Sequence, residues 1–209
     1  NIIDTQKFGP NKLQAALAYN LSQLLPEDLE ISFFAVSGAE SVEAAIKLST
    51  MAKRGDAKYF ISATGGYHGK TLGALSVTDS ENFSEGFHLG IPKENTIKIE
   101  YNNIQAYEEV IIKLSKEKII AIIIEPIQGQ IVEVAKKNYL KEICEISRKN
   151  NIAVIFDEIK CGLGRSGNLF SFLDHDCVPD IVTTSKALGG GKNAISAMIA
   201  SKRLFNKAY

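Results

Sequence analysis

The sequence predicts an α/β fold in which a mostly parallel sheet is flanked by helices, and three observations predict it. Short β-branched or aromatic runs alternate along the chain with longer amphipathic stretches, the pattern of strands joined by crossover helices. Two of the runs, residues 119–124 and 153–156, are almost wholly apolar, as strands covered on both faces must be. No internal repeat, low-complexity tract or linker rich in proline, glycine and serine interrupts the alternation, so the 209 residues read as one domain able to bury a sizeable core.

The elements follow in order. A helix is expected over residues 12–24 and a strand over 32–36. The helix predicted next, 40–53, presents Val42, Ala45, Ile46 and Met51 toward the sheet, and Gly55 supplies its stop signal. A strand at 59–62, a helix at 104–116 and a strand at 119–125 continue the alternation. A helix at 139–149 and strands at 153–157, 181–184 and 197–200 complete it. Ligands of such sheets gather at the carboxyl ends of strands. The chemically suggestive residues fall there.

Composition narrows the function. The 24 basic and 24 acidic residues leave a formal net charge of +0, which removes the electrostatic case for nucleic acid or an anionic membrane as partner and favours a small neutral or zwitterionic substrate. Cys144, Cys161 and Cys177 form no CxxC pair and have no histidine cluster nearby, so neither a metal site nor a disulfide framework is expected, and a reducing cytoplasm is the simplest setting. No apolar run reaches the roughly 18 residues that span a bilayer, and no signal sequence is visible. The start at Asn1 and the end soon after an apolar strand suggest a segment of a longer chain.

Four segments carry candidate chemistry. In the first, the apolar strand 181–184 runs into Lys186 and then Gly189, Gly190 and Gly191. A lysine at a buried strand end loses hydration, which favours the neutral, nucleophilic amine and suits Schiff-base formation. A surface lysine beside a phosphate-cradling glycine loop is the competing reading, although the Walker spacing is absent. In the second segment, strand 153–157 delivers Asp157 at its end, where a carboxylate can keep a heterocyclic nitrogen protonated and make the ring an electron sink. A magnesium-binding or capping aspartate is the plainer alternative. Asp157 and Lys186 lie one strand–connection–strand unit apart, which puts them at neighbouring strand ends.

Third, Ser37, Gly38 and Ala39 stand between a strand and a helix, where free amides and the helix dipole suit a phosphate ester, with Ser37 adding a hydroxyl. An ordinary N-cap built from Ser37 or Glu40 explains the same residues. Fourth, Tyr67 and His68 sit on a glycine-flanked loop after strand 59–62, where an aromatic can stack on a flat ring or simply pack beneath the loop.

In this order and at these spacings, the segments resemble the class III aminotransferases, which belong to fold type I of the pyridoxal-phosphate enzymes. The likeness runs from about residue 10 to about residue 201 and rests on Ser37-Gly38-Ala39-Glu40, Gly66-Tyr67-His68-Gly69 and Glu125-Pro126-Ile127-Gln128-Gly129. Asp157-Glu158-Ile159 with the 162–167 glycine segment, and Ser185-Lys186-Ala187-Leu188-Gly189, complete it. The resemblance implies a three-layer, aspartate-aminotransferase-like large domain over 1–209, a fragment whose small domain, built from both chain ends, is largely missing.

The resemblance further implies that Lys186 holds pyridoxal 5'-phosphate as an imine and shuttles the proton, while Asp157 pairs with the pyridine nitrogen. Ile159 would pack on one ring face and Tyr67 on the other. Gly38 and Ala39 would give amides to the phosphate, helped by Ser37, with His68 and Glu125 in support. A threonine of the partner subunit supplies another phosphate contact in the family, so a homodimer with a shared active site is implied. Three departures stand out: Lys160 where many members have a glutamine that touches the ring hydroxyl or a nearby substrate group, Gln130 where many have a glutamate that pairs with a substrate-binding arginine, so that both positions are implied to be substrate-proximal, and residues 191–195 where a glycine-proline pattern is usual. The implied activity moves an amino group between a primary amine, including the terminal amine of an amino acid, and an oxo acid. An aminomutase, racemase or decarboxylase of the same fold is the rival reading, and a nucleotide-binding α/β module the rival of another class.

Overall fold

A computed structural model describes residues 11–26 and 28–209. In chain order it contains α1 (Lys12–Leu24), β1 (Leu29–Ala35), α2 (Gly38–Lys53), β2 (Tyr59–Ala63), α3 (Leu72–Val77), α4 (Glu81–Ser84) and β3 (Thr96–Ile99). Then follow α5 (Ile104–Leu114), β4 (Ile119–Ile124), α6 (Tyr139–Asn150), β5 (Ala153–Asp157), β6 (Ile181–Thr184), β7 (Ser196–Ser201) and α7 (Lys202–Ala208). The strands form one seven-stranded sheet in the order β1-β7-β6-β5-β4-β2-β3. The pairs from β3 through β6 are parallel, whereas β7 runs antiparallel to both β6 and β1.

The alternation of side chains across the strands separates two cores. Ile122, Ile124, Phe156 and Val182 face α5 and α6, meeting Tyr107, Ile111, Leu140 and Ile143. Ile123, Ile155, Ile181 and Met198 face the other way, onto Val42, Ala45 and Ile46 of α2 and Leu204 of α7. Every residue of β4 and β5 is buried, as expected for strands with helices on both faces. Between α5 and α6 the buried Tyr107 hydroxyl and Ser147 Oγ, 2.7 Å apart, satisfy each other.

Differences from the sequence reading have local causes. The first strand begins at Leu29 because its pairing with β7 extends to Leu29 opposite Ser201. Helix α2 begins at Gly38 because Ser37 is its N-cap, and Met51 is 43% exposed instead of facing the sheet. The helix predicted to reach residue 116 stops at Leu114, since Ser115 turns to φ 66°. Strand β3 and the helices α3, α4 and α7 were not anticipated; β3 is a four-residue edge strand with only Ile99 buried, too short and too polar to show a pattern.

Candidate active site

The carboxyl ends of β2, β4, β5 and β6 converge with the start of α2 around a cleft of about 700 Å³, within the size range of small-molecule sites. All eleven residues singled out from the sequence line it: Ser37, Gly38, Ala39, Tyr67, His68, Glu125, Gln130, Asp157, Ile159, Lys160 and Lys186.

Asp157 is 3% exposed, and neighbours fix its carboxylate from two sides. Oδ1 accepts from the Ile159 amide at 3.1 Å and the Thr183 hydroxyl at 3.2 Å. Oδ2 lies 2.8 Å from His68 Nδ1. Because an ionised carboxylate only accepts, the imidazole donates through Nδ1, and Oδ2 keeps capacity for one more donor from the cleft. Thr183 stands directly beside Asp157 in the β5–β6 register, so the expected neighbouring strand ends are found. Sequence reading missed Thr183, because its place opposite Asp157 is set by strand register. The His68 amide is held by Thr78 Oγ1 at 2.9 Å, while its Nε2 is buried without a partner.

Glu125, 4% exposed, ties two loops together. Its Oε1 accepts from the Tyr67 amide at 2.8 Å and its Oε2 from the Gly129 amide at 2.7 Å. Burial pushes this carboxyl above its ordinary range, nearby His68 pulls it down, and Asp157 pushes it further up. The Tyr67 ring is set by an edge-on contact with Phe83, centroids 6.2 Å apart. On the facing loop Gln130 follows Gly129, and the Lys160 ammonium donates to the Gly129 carbonyl.

At the start of α2, Ser37 and Glu40 form a capping box: the Glu40 carboxylate accepts from the Ser37 amide at 2.7 Å and from the Ser37 hydroxyl at 2.8 Å. The hydroxyl proton expected to face a ligand is thus directed to Glu40. The amides of Gly38 and Ala39, in the first helical turn, have no acceptor within the helix and border the cleft. Gly38 permits this closeness, since a Cβ on it would lie 2.9 Å from Ile159 Cδ1.

Lys186 follows β6 in a short turn and takes φ 36°, a conformation that costs a non-glycine residue about 1–3 kcal/mol and here keeps the side chain on the cleft side. The expected desolvation is not found: Lys186 is exposed, because strand burial ends at Ser185. Ser185 Oγ donates to the Ile195 carbonyl at 3.0 Å, closing the turn against residues 193–195, part of the 191–195 departure, which also border the cleft.

Comparison with known proteins supplies the context for this geometry. The profile of a family described as aminotransferase class-III matches residues 3–208. An acetylornithine aminotransferase of Methanopyrus kandleri is 38% identical over 182 residues, 87% of this chain and 45% of that protein. A putrescine aminotransferase of Pectobacterium atrosepticum is 38% identical over 201 residues, 94% of this chain and 42% of that protein. Among solved structures, an (S)-enantioselective omega-transaminase from Thermomicrobium roseum superposes with a TM-score of 0.88 at 30% identity, over 94% of this chain and 48% of that one. The chain thus spans less than half the length of these relatives.

Proposed function

This chain belongs to the class-III aminotransferases, and on that premise we propose that it forms the cofactor-binding part of an enzyme moving an amino group between a primary amine and an oxo acid, with pyridoxal phosphate held at Lys186. The observation that carries this reading is the meeting of Lys186, Asp157 and the first-turn amides of α2 around one cleft. The donor set suits the cofactor: two helix amides for a phosphate, spare acceptor capacity on Asp157 Oδ2 for a ring N–H, Ile159 and Tyr67 as apolar walls, and an amine for the aldehyde. When bound, the cofactor supplies an aldehyde and an electron-withdrawing ring.

The chain's own residues would do the rest. Asp157 orients and charges the ring nitrogen, and is itself held by Thr183, Ile159 and His68. Glu125 fixes Tyr67 and the Gly129 loop, so the walls of the cleft keep their spacing. Lys186 would serve as the base that takes the proton from the substrate carbon and delivers it to the cofactor carbon. The glycines after it, Gly190 at φ 59° and Gly191 at φ 74°, allow the turn to carry that lysine.

A homodimer with a shared site is part of the same reading. Support comes from apolar surface of the kind a partner covers, on Val36 at the cleft and on Ile131 and Val132 beyond Gln130. The deciding experiment adds pyridoxal phosphate to the full-length protein, reduces with borohydride and maps the label by mass spectrometry. A violet absorbance bleached by borohydride and a label on Lys186 are expected. A colourless protein, or a label on another side chain, would refute the assignment, and product analysis with amines and oxo acids separates transfer from mutase, racemase or decarboxylase chemistry.

A further inference from the structure

We infer that Lys160 selects the substrate at this cleft, favouring amines that carry a distal carboxylate over amines that carry a second cation; the inference rests on the reading of the cleft given above. It starts from a charge imbalance. The chain has no net charge, yet the exposed charged side chains lining the cleft are all cationic: Lys70, Lys160 and Lys186. The acids there, Glu125 and Asp157, are buried and already accept from neighbouring amides, a hydroxyl and an imidazole.

Two of the three cations have other partners. Lys186 is committed to the cofactor in the proposed function, and the Lys70 ammonium lies over the Phe83 ring, 3.9 Å from its centroid. Lys160 differs. Its ammonium donates to the Gly129 carbonyl, a neutral acceptor that uses one of three N–H groups, and among the described residues no carboxylate lies within ion-pair distance of it. Gln130, next to Gly129, bears no charge that would neutralise it.

The lysine is also held in place. A Cβ on Gly129 would lie 2.6 Å from Lys160 Cδ, so the stem packs directly against the glycine while the head is anchored on its carbonyl. An ammonium positioned before the ligand arrives loses little side-chain freedom on binding, and its hydrogen bond to a carboxylate is charge-assisted. A diamine would bring a like charge to the same place.

The test uses the full-length, cofactor-loaded protein and two amines of equal length, 5-aminopentanoate and 1,5-diaminopentane, with pentanoate as an unreactive binding probe. Lys160→Gln is expected to weaken pentanoate binding, read by calorimetry, on the order of tenfold. It should also lower the ratio of kcat/KM for the amino acid over the diamine by a similar factor. Lys160→Glu should invert the preference, and Lys160→Arg should retain it. If the cofactor absorbance is normal but pentanoate binds K160Q and wild type alike, or wild type prefers the diamine, the inference fails alone. If the absorbance is missing from wild type, the reading of the cleft fails and the inference falls with it.

Discussion

Replacing Gly38 with alanine tests whether the start of α2 is glycine because Ile159 needs the space. An added Cβ would lie 2.9 Å from Ile159 Cδ1, 3.1 Å from Cγ2 and 3.4 Å from Cγ1. Three close contacts on one β-branched side chain mean that the whole side chain must turn, and its χ1 is stiff. Overpacking of this kind costs about 1–3 kcal/mol. Gly38 is not in the left-handed region, so alanine also gains about 0.4–1 kcal/mol by restricting the unfolded chain. The net expectation is a loss of about 1 kcal/mol, which lowers the melting temperature of a chain this size by about 2–4 °C. Urea denaturation of the single variant, of Ile159→Ala and of the double variant measures the coupling. In the Ile159→Ala background the clash is gone, and G38A should stabilise. Gly38→Ala should also weaken cofactor binding several-fold, since the Gly38 and Ala39 amides and Ile159 border the same cleft. A gain of stability in the wild-type background, with cofactor affinity unchanged, would refute the reasoning.

Two further outcomes are expected. Asp157→Ala leaves His68 Nδ1, the Thr183 hydroxyl and the Ile159 amide without their common acceptor, and should destabilise the fold by about 3–5 kcal/mol in denaturant titration; a loss under 1 kcal/mol would mean that water replaces the carboxylate. Burial raises the carboxyls of Glu125, Glu158 and Asp180 above their ordinary ranges. The folded state then binds more protons than the unfolded state above the ordinary carboxyl pKa, 4.5 for the two glutamates and 3.8 for Asp180, so each contribution is fully present below that value and is lost as pH rises through the folded pKa. Glu158→Gln should therefore gain on wild type as pH increases from 4.5, measured as unfolding free energy at a series of pH values; a gap that moves the other way would contradict the assigned cause.

The alternation of apolar runs and amphipathic stretches revealed the layered sheet because β4 and β5 are buried along their whole length and announce themselves by composition alone. Edge strand β3 carried no such signature, for it is held by pairing with β2 and buries only Ile99. At the cleft, glycine-flanked and strand-end positions were legible from local chemistry. What could not be read were properties fixed by distant partners: the exposure of Lys186, the use of the Ser37 hydroxyl by Glu40, and the support that Thr183 gives Asp157. These depend on side-chain direction and register, which neighbouring residues in sequence do not encode.

The antiparallel pairing at one edge of the sheet imposes an order on biosynthesis. Strand β1 leads straight into the turn that presents the Gly38 and Ala39 amides, yet its sheet neighbour among the described residues is β7, with Ala35 opposite Ser196. On the ribosome, β2, β4 and β5 can pair as they emerge, while the turn at Gly38 waits with its strand unpaired until residues 196–201 have left the exit tunnel. A nascent chain cut short before Ser196 would carry Asp157, His68 and Lys186, but the strand that leads to the Gly38 and Ala39 amides would lack its β7 neighbour.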